Sequence, residues 1–242
     1  KKLREARQEL ERDMELARNI QISLLPPDRS DGNYAFSGLM IPAVRVGGDY
    51  YDHVFHEERD WFALGDVTGH GLQAGMLVMQ ARSLLHHFVQ EHAYPDPAEV
   101  FHHLNNSFLG SIVGLKNQSF MTFVILRLCA NGEVRYCGRH LSFLIHRKAG
   151  NIIEEMQTEG SWLGVRRLRE NEFPSRSFFL ETGDTLLLYT DGCTEAENHL
   201  GKRYGLEGLK RDFLKQAEFE NLSSVNRSLQ SAVLQFTGKN QL

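Results

Sequence analysis

Three aspartates stand at the ends of apolar segments, each next to a glycine. Asp49 begins a predicted strand in "VGGDYYD", Asp66 ends one in "LGDVTGHG", and Asp191 ends another in "LLLYTDGCTE". One such aspartate would be unremarkable, because aspartate favours turns and helix N-caps. Three carboxylates gathered at the rim of a sheet repel one another unless a cation lies between them. Such hard oxygen ligands suit Mg²⁺ or Mn²⁺. We therefore expect a metal site here, with turn capping as the alternative.

The glycines after Asp66 superficially resemble a dinucleotide-binding turn. Gly69, Gly71 and Gly75 give G-x-G-x-x-x-G after a predicted strand. That kind of site needs an acid about 20 residues further on, at the end of the next parallel strand. Here that position falls at 89–91, inside a long predicted helix, and no P-loop motif occurs in the sequence. The turn is therefore not expected to bind a nucleotide.

The cysteines, the paired histidines and His140 indicate no separate catalytic or metal site. An odd count of three cysteines argues against a disulfide framework and fits a reducing compartment. Cys193 lacks a nearby histidine signature and is expected to be a packing residue, not a nucleophile. Histidine pairs at 86–87 and 102–103 point about 100° apart on a helix, so they are expected to be surface or packing residues. His140 is expected to be structural.

Composition bounds the class of protein. The 242 residues are 41% hydrophobic and 24% charged, with a formal net charge of −4. These values are typical of a soluble globular domain and give no sign of a nucleic-acid or membrane partner. Neither an apolar run of about 18 residues nor a signal-peptide core occurs. We expect a cytoplasmic protein.

Residues 1–25 form the clearest predicted helix. Its seam of apolar residues spans about three heptads, with Asp13 interrupting it: Leu3, Ala6, Leu10, Ala17, Ile20 and Leu24. This pattern predicts a coiled-coil linker that forms a homodimer, and a single amphipathic helix packed on its own domain is an equal alternative. The chain begins within the helix, which indicates a fragment whose parent carries an upstream signalling domain, a receiver or a sensor.

The remaining elements must position the aspartates. Strands are predicted at 34–41, 49–56 and 61–67, followed by helices at 71–92 and 96–112. A meander of short strands follows, with hairpins at Asn131-Gly132 and at "KAG", and the chain closes with two helices. This order predicts an α+β fold in which helices cover both faces of mostly antiparallel sheets.

Six motifs occur in the order found in one phosphatase family: "VGGDYYD", "LGDVTGHGLQAGMLV", "FMTFVILRL", "YCGRHLSFLI", "GSWLGV" and "LLLYTDGCTEAEN". The chain resembles bacterial PPM/PP2C-like serine phosphatases of the SpoIIE/RsbU type over about residues 20–240. The resemblance implies an αββα sandwich at 26–242, preceded by the helical linker at 1–25. It also implies a metal-dependent phosphatase that acts on phosphoserine or phosphothreonine in a regulatory protein, a STAS-type anti-sigma-factor antagonist.

The resemblance assigns roles residue by residue. Asp66 would bridge two Mn²⁺ or Mg²⁺ ions, the Val67 carbonyl and Asp191 would each bind one of them, and Asp49 would bind directly or through water. Asp52 is a weaker assignment in the surroundings of these ligands. The two ions would activate a water molecule for in-line attack on phosphorus.

Four further positions complete the expected site. Gly48, Gly69 and Gly192 would let the backbone approach the metals, where a Cβ would obstruct it. His70 or a metal-bound water would protonate the leaving serine oxygen.

One feature departs from the family pattern. The pattern ends with a strand that contains two aspartates, whereas this sequence ends at "FTGKNQL", where that strand should begin. Without its acid, one ion would bind weakly and activity would fall. The alternative function is therefore a catalytically impaired binding or scaffold module that acts as a dimeric switch.

Overall fold

Two antiparallel sheets face each other, and helices cover the outer face of each. This computed structural model describes residues 2–30, 34–41, 46–56, 59–92, 95–112, 119–169, 172–217 and 221–238. The arrangement is the αββα sandwich expected from the sequence, so the α+β prediction is confirmed.

The first sheet has five strands in the order β1-β2-β3-β4-β7, each antiparallel to its neighbours. Its strands are β1 (Asp49–His56), β2 (Arg59–Val67), β3 (Met121–Leu128), β4 (Glu133–Arg139) and β7 (Arg176–Phe179). Helices α2 (Leu72–Glu91) and α3 (Pro97–Ile112) pack on its outer face. The largest side chains of this layer are fully buried: Trp61, Phe101, Phe108 and Phe123.

The second sheet has three strands in the order β6-β5-β8, again antiparallel. Its strands are β5 (Phe143–Arg147), β6 (Ile152–Met156) and β8 (Thr185–Leu187). The short helix α4 (Asp191–Thr194) follows β8, and α5 (Gly205–Gln216) and α6 (Leu222–Thr237) close the chain. Apolar residues of α5 and α6 pack with those of β5, around Leu144 and Phe213.

A second apolar layer lies between the two sheets. Side chains alternate across a strand, so on β3 Val124 and Leu126 face the other sheet while Phe123 and Ile125 face the helices. On β2 the same alternation turns Leu64 towards the second sheet. Asp66, two residues further on, lies on that same inner face.

Most of the predicted elements are present, but the strand at 34–41 is wrong. There the structure has only one isolated bridge, between Arg29 and Phe36. Phe36 packs its ring against His53 and Phe62, with centroids 4.9 and 5.3 Å away. The apolar residues of this segment cover the inner face of the first sheet and do not pair along its edge. The apolar residues of this segment indicated contact with the core, but they carried no information about strand pairing.

Helix α1 (Lys2–Ser23) is the predicted N-terminal helix, and it is largely exposed. Gln21 is the one buried residue of this helix in the structure as described, whereas Leu3 is 86% exposed and Leu10 is 62% exposed. The division into a coiled-coil linker at 1–25 and a phosphatase domain at 26–242 stays a prediction. Across the described ranges, none of the helices combines the length and the apolarity needed to cross a membrane.

Candidate metal centre

Antiparallel pairing places Asp49 and Asp66 side by side at one end of the first sheet. Asp49 opens β1 and pairs with Asp66 near the end of β2, and Asp66 pairs in turn with Thr122 on β3. Directly opposed residues of an antiparallel pair have Cβ atoms about 4.5–5.5 Å apart and lie on the same face. The three side chains therefore form a row across the sheet on its inner face.

Asp191 reaches the same end of the molecule from the second sheet. The chain leaves β8 at Leu187, and Asp191 is the first residue of α4. The preceding residue, Thr190, acts on Asp49 and lowers the pKa of its carboxyl. The charge of Asp191 also acts on both Asp49 and Asp66. The three predicted aspartates therefore meet where the two sheets open.

Partial burial and neighbouring negative charges raise the pKa values of Asp49 and Asp66. Burial raises the pKa of Asp66 to about 7, and the charges of Asp49 and Asp191 add to this effect. Burial also raises the pKa of Asp49; Thr190 opposes that shift and the charge of Asp191 adds to it. Asp49 Oδ1 is buried without a hydrogen-bond partner. In the described part of the chain, no Lys, Arg or His forms an ion pair with any of the three.

Gly48 allows two backbone segments to pack closely beside these carboxylates. A Cβ on Gly48 would lie 2.5 Å from the Val67 carbonyl oxygen and 3.0 Å from Asp66 Oδ1. The Gly48 carbonyl accepts a hydrogen bond from the Val67 amide at 3.0 Å, which fixes the two segments together. Only glycine fits this close approach, because a Cβ at position 48 would obstruct the space beside Asp66.

The donor set fits divalent cations that are shared between carboxylates. Among the residues that the structure describes, no three His, Cys, Asp or Glu side chains converge closely enough to enclose a single ion. Mg²⁺ does not require such a cage, since it is typically held by one or two carboxylates and keeps several waters. Asp49, Asp66 and Asp191 are the carboxylates here that could supply such ligands.

Three other predicted site residues, Gly69, His70 and Gly192, are exposed. Gly69 has a φ of 93° and lies with His70 in the exposed turn after β2, and Gly192 is exposed in α4. Burial, together with the charges of Asp49 and Asp191, raises the pKa of the Cys193 thiol to about 11. A thiol with so high a pKa is a poor nucleophile, as the sequence predicts.

Asp52 does not lie beside Asp49 and Asp66, which corrects its expected place around the ligands. Residues 49 and 52 are an odd number of positions apart and so lie on opposite faces of β1. The Asp52 carboxylate is buried on the helix side, 2.7 Å from His86 Nε2 and 3.4 Å from Arg82 Nε. The Tyr50 hydroxyl also donates to it at 3.0 Å. His86 is thus a partner of a buried carboxylate, not a plain surface residue.

Two residues that the sequence did not single out contact the site. Thr122 Oγ1 accepts a hydrogen bond from the Asp66 amide at 3.1 Å. The amide group of Gln21 on α1 pairs with the backbone of Gly47, donating to its carbonyl at 3.1 Å and accepting from its amide at 3.3 Å. Thr122 lies in the motif "FMTFVILRL", but no local pattern predicts either contact, because both join residues distant in sequence.

The fold is that of a PP2C-like phosphatase domain. A model of one family, Stage II sporulation protein E (SpoIIE), matches residues 56–242. The chain belongs to the SpoIIE family. The match contains Asp66 and Asp191, and Asp49 lies just before it.

Three comparisons illustrate the similarity. The chain is 23% identical to the phosphoserine phosphatase RsbU of Bacillus subtilis (strain 168), over 94% of this chain and 67% of RsbU. The SiaA-PP2C domain of Pseudomonas aeruginosa superposes with a TM-score of 0.78 at 17% identity, covering 98% of this chain and 94% of that domain. The catalytic domain of the serine/threonine phosphatase PstP, in complex with two manganese ions, gives a TM-score of 0.57 at 14% identity, covering 87% and 91%. These relatives support a serine phosphatase activity.

Proposed function

We propose that this domain is a metal-dependent protein serine/threonine phosphatase that uses two Mn²⁺ or Mg²⁺ ions. The observation that carries the proposal is the pair of half-buried, mutually repelling carboxylates Asp49 and Asp66, on which the charge of the exposed Asp191 also acts. Among the described residues no protein cation pairs with any of the three, and Asp49 Oδ1 has no hydrogen-bond partner. Asp66 would be shared between the ions, with Asp49, Asp191 and the Val67 carbonyl as further ligands. Membership of the SpoIIE family and the similarity to RsbU support this assignment.

The chain's own residues have definable roles in such a reaction. When bound, the ions supply Lewis-acid activation of water and neutralise charge on the phosphoryl oxygens. Asp66 must be deprotonated to bind them, so its raised pKa opposes binding below about pH 7. His70, exposed in the turn after β2, stays a candidate proton donor to the leaving serine oxygen.

The direct experiment is hydrolysis of a phosphoserine protein with and without added Mn²⁺. We expect phosphate release that depends on Mn²⁺ and is lost in Asp66→Asn. Glu207→Gln removes an exposed carboxylate on α5, whose side chain is 88% exposed, and serves as the matched control. Activity that is unaffected by Mn²⁺, or by Asp66→Asn, would contradict the proposal.

A phosphorylated STAS-type regulatory protein is the substrate class that we propose. This choice rests on the resemblance to SpoIIE/RsbU-type phosphatases and on the similarity to RsbU, which is named a phosphoserine phosphatase. The preference can be measured by comparing hydrolysis of a phosphorylated STAS protein with that of free phosphoserine. Equal kcat/KM values for the two would contradict it.

Regulation through α1 is a further part of the proposal. The apolar seam residues Leu3 and Leu10 are exposed, and a second copy of the helix would cover them. Gln21 joins the same helix to Gly47, next to Gly48 and Asp49. An upstream signalling domain that moved α1 would therefore also move the backbone at Gly47, next to Gly48 and Asp49. Light scattering tests the dimer, and a change of phosphatase activity in Gln21→Leu tests the connection.

The acid-bearing final strand of the family pattern also stays a prediction. Within the described ranges β8 pairs only with β5, and its other edge is open. A cavity of about 1520 Å³ lies beside it, lined by Leu187 and by Val225 and Leu229 of α6. A further strand on this edge would lie near Asp191. Mn²⁺ affinity that is unchanged in a chain extended beyond Leu242 would contradict this expectation.

A further inference from the structure

His140 makes a side-chain bridge between the two sheets at the metal centre. It follows β4 directly, and its ring lies between residues that belong to different halves of the molecule. Nδ1 is 2.8 Å from the Thr122 hydroxyl oxygen on β3 of the first sheet. Nε2 is 3.1 Å from the carbonyl oxygen of Tyr189, two residues before Asp191.

Hydrogen-bond chemistry fixes the direction of this bridge. A carbonyl can only accept, so Nε2 carries the proton and donates to Tyr189. In a neutral ring Nδ1 is then the acceptor, and the Thr122 hydroxyl donates to it at 2.8 Å in preference to the Asp66 carbonyl, which is 3.3 Å away. Burial lowers the pKa of His140, against the raising effects of the Tyr189 carbonyl and the Asp191 charge, which favours the neutral ring. The Thr122 oxygen in turn accepts the Asp66 amide.

The backbone of His140 is held independently of its ring. Its amide donates to the Thr158 hydroxyl oxygen at 2.9 Å, and that hydroxyl donates to the His140 carbonyl. Gly138, two residues before His140, has a φ of 106°, and a Cβ there would lie 2.3 Å from the Phe123 carbonyl oxygen. These constraints set where the ring points, so the two ring bonds position its neighbours.

We propose that His140 is a positioning residue for the metal centre: by bridging Thr122 and Tyr189, it holds the segment that carries Asp191 in register with the strand that carries Asp66. The proposal rests on the proposed function, since it assigns a partner to those same ligands. Outer partners of metal ligands typically contribute about 10- to 100-fold to metal affinity. His140 acts through two intermediate residues, so we expect a loss near the lower value.

Three variants separate the two arms of the bridge. His140→Asn can keep a polar atom near Thr122 but cannot reach Tyr189. His140→Gln can place an N–H near the Tyr189 carbonyl but loses the Nδ1 acceptor. His140→Ala loses both. By calorimetric titration we expect Mn²⁺ affinity about 10-fold weaker for His140→Ala, with Asn and Gln each between it and the wild type.

His146 provides the matched control for buried-histidine effects. It is buried on β5, and its ring bonds Asn151 on the face away from the site. We expect His146→Ala to lower the thermal midpoint of unfolding as His140→Ala does, but to leave Mn²⁺ affinity unchanged. Equal affinities of His140→Ala and wild type, or equal losses in the two alanine variants, would overturn the positioning role.

A second measurement keeps the inference separate from the proposed function. In the metal-free chain, imidazole ¹⁵N NMR reports which ring nitrogen carries the proton. We expect His140 to be neutral with the proton on Nε2 at pH 7.5, and the Thr122→Val variant to shift its Nδ1 signal. A proton on Nδ1 would overturn the bridge. Absence of any Asp66-dependent Mn²⁺ binding in the wild type would instead remove the proposed function.

Discussion

Asp49 and Asp52 belong to the same strand and have opposite environments. Asp52 lies on the helix side of β1, where His86, Arg82 and Tyr50 satisfy its carboxylate. Asp49 lies on the inner side, next to Asp66, with one carboxylate oxygen buried and without a partner. The protein thus supplies cationic partners to Asp52, whereas among the described residues no cation pairs with Asp49.

The difference shows how one strand serves both stability and function. A buried carboxylate with protein partners ties β1 to α2, and removing it would leave Arg82 and His86 unpaired. A buried carboxylate that faces other carboxylates is unfavourable in the metal-free chain and becomes favourable when a cation binds. Substitutions on the helix side of β1 should therefore lower stability, whereas substitutions on its inner side should lower metal affinity and activity.

The largest expected effect is loss of catalysis on the inner face. Asp66→Asn and Asp191→Asn each remove a proposed ligand, and we expect kcat/KM to fall by about 1,000-fold, the upper range for removing one electrostatic stabiliser. Phosphate release from a phosphoserine protein at saturating Mn²⁺ measures this. Retention of more than about a tenth of the activity would indicate that the ligand assignment is wrong.

Asp52→Asn should separate the two faces. It leaves Arg82 and His86 without their carboxylate, so we expect the free energy of unfolding to fall by about 3 kcal/mol. Urea unfolding measures this change. Mn²⁺ affinity of the folded variant should stay within about 3-fold of the wild type, since Asp52 is not a proposed ligand. A large loss of affinity with unchanged stability would reverse the roles assigned to the two faces.

Neighbouring glycines provide a finer test of the inner wall. In Gly48→Ala the new Cβ meets the Val67 carbonyl oxygen at 2.5 Å, whereas in Gly47→Ala its nearest contact is at 3.8 Å. We expect Mn²⁺ affinity to fall about 10-fold in the first variant and to be nearly unchanged in the second. Calorimetry on the matched pair decides this, and equal affinities would show that the carbonyl is not part of the site.

The smallest expected effect is a pH dependence of metal-free stability. The folded chain keeps the Asp66 proton up to about pH 7, whereas the unfolded chain releases it near pH 4. The folded state then binds more protons between these values, so stability falls as the pH rises through that window. For a partly exposed group we expect a decrease of about 2–4 °C in the thermal midpoint.

The comparison that isolates Asp66 is wild type against Asp66→Asn in the presence of a chelator. Burial lowers the pKa of His140 and His103, which makes stability rise with pH in part of the same window. Both histidines are present in both chains, so their effect cancels in the difference. A difference that does not change between pH 4 and 7 would contradict the raised pKa of Asp66.

The sequence places Asp49, Asp66 and Asp191 at strand ends beside glycines, and the structure pairs Asp49 with Asp66 and lets the charge of Asp191 act on both. Their role as metal ligands stays a prediction. The placement of Asp52 also has a sequence signal, since residues 49 and 52 must face opposite sides of a strand. No sequence signal predicts the bridge from Thr122 through His140 to Tyr189. It joins residues up to 67 positions apart in sequence, and no local periodicity encodes such a contact. The segment at 34–41 failed for the same reason, because pairing depends on a neighbouring edge.

Mn²⁺ titration of the metal-free chain, followed by calorimetry at pH 7.5, tests the central claim most directly. The claim is that the inner face of β1 and β2 needs a cation that the protein does not supply. The account predicts binding by the wild type and by Asp52→Asn, and none by Asp66→Asn. Binding by Asp66→Asn with wild-type affinity, or no binding by the wild type, would contradict it.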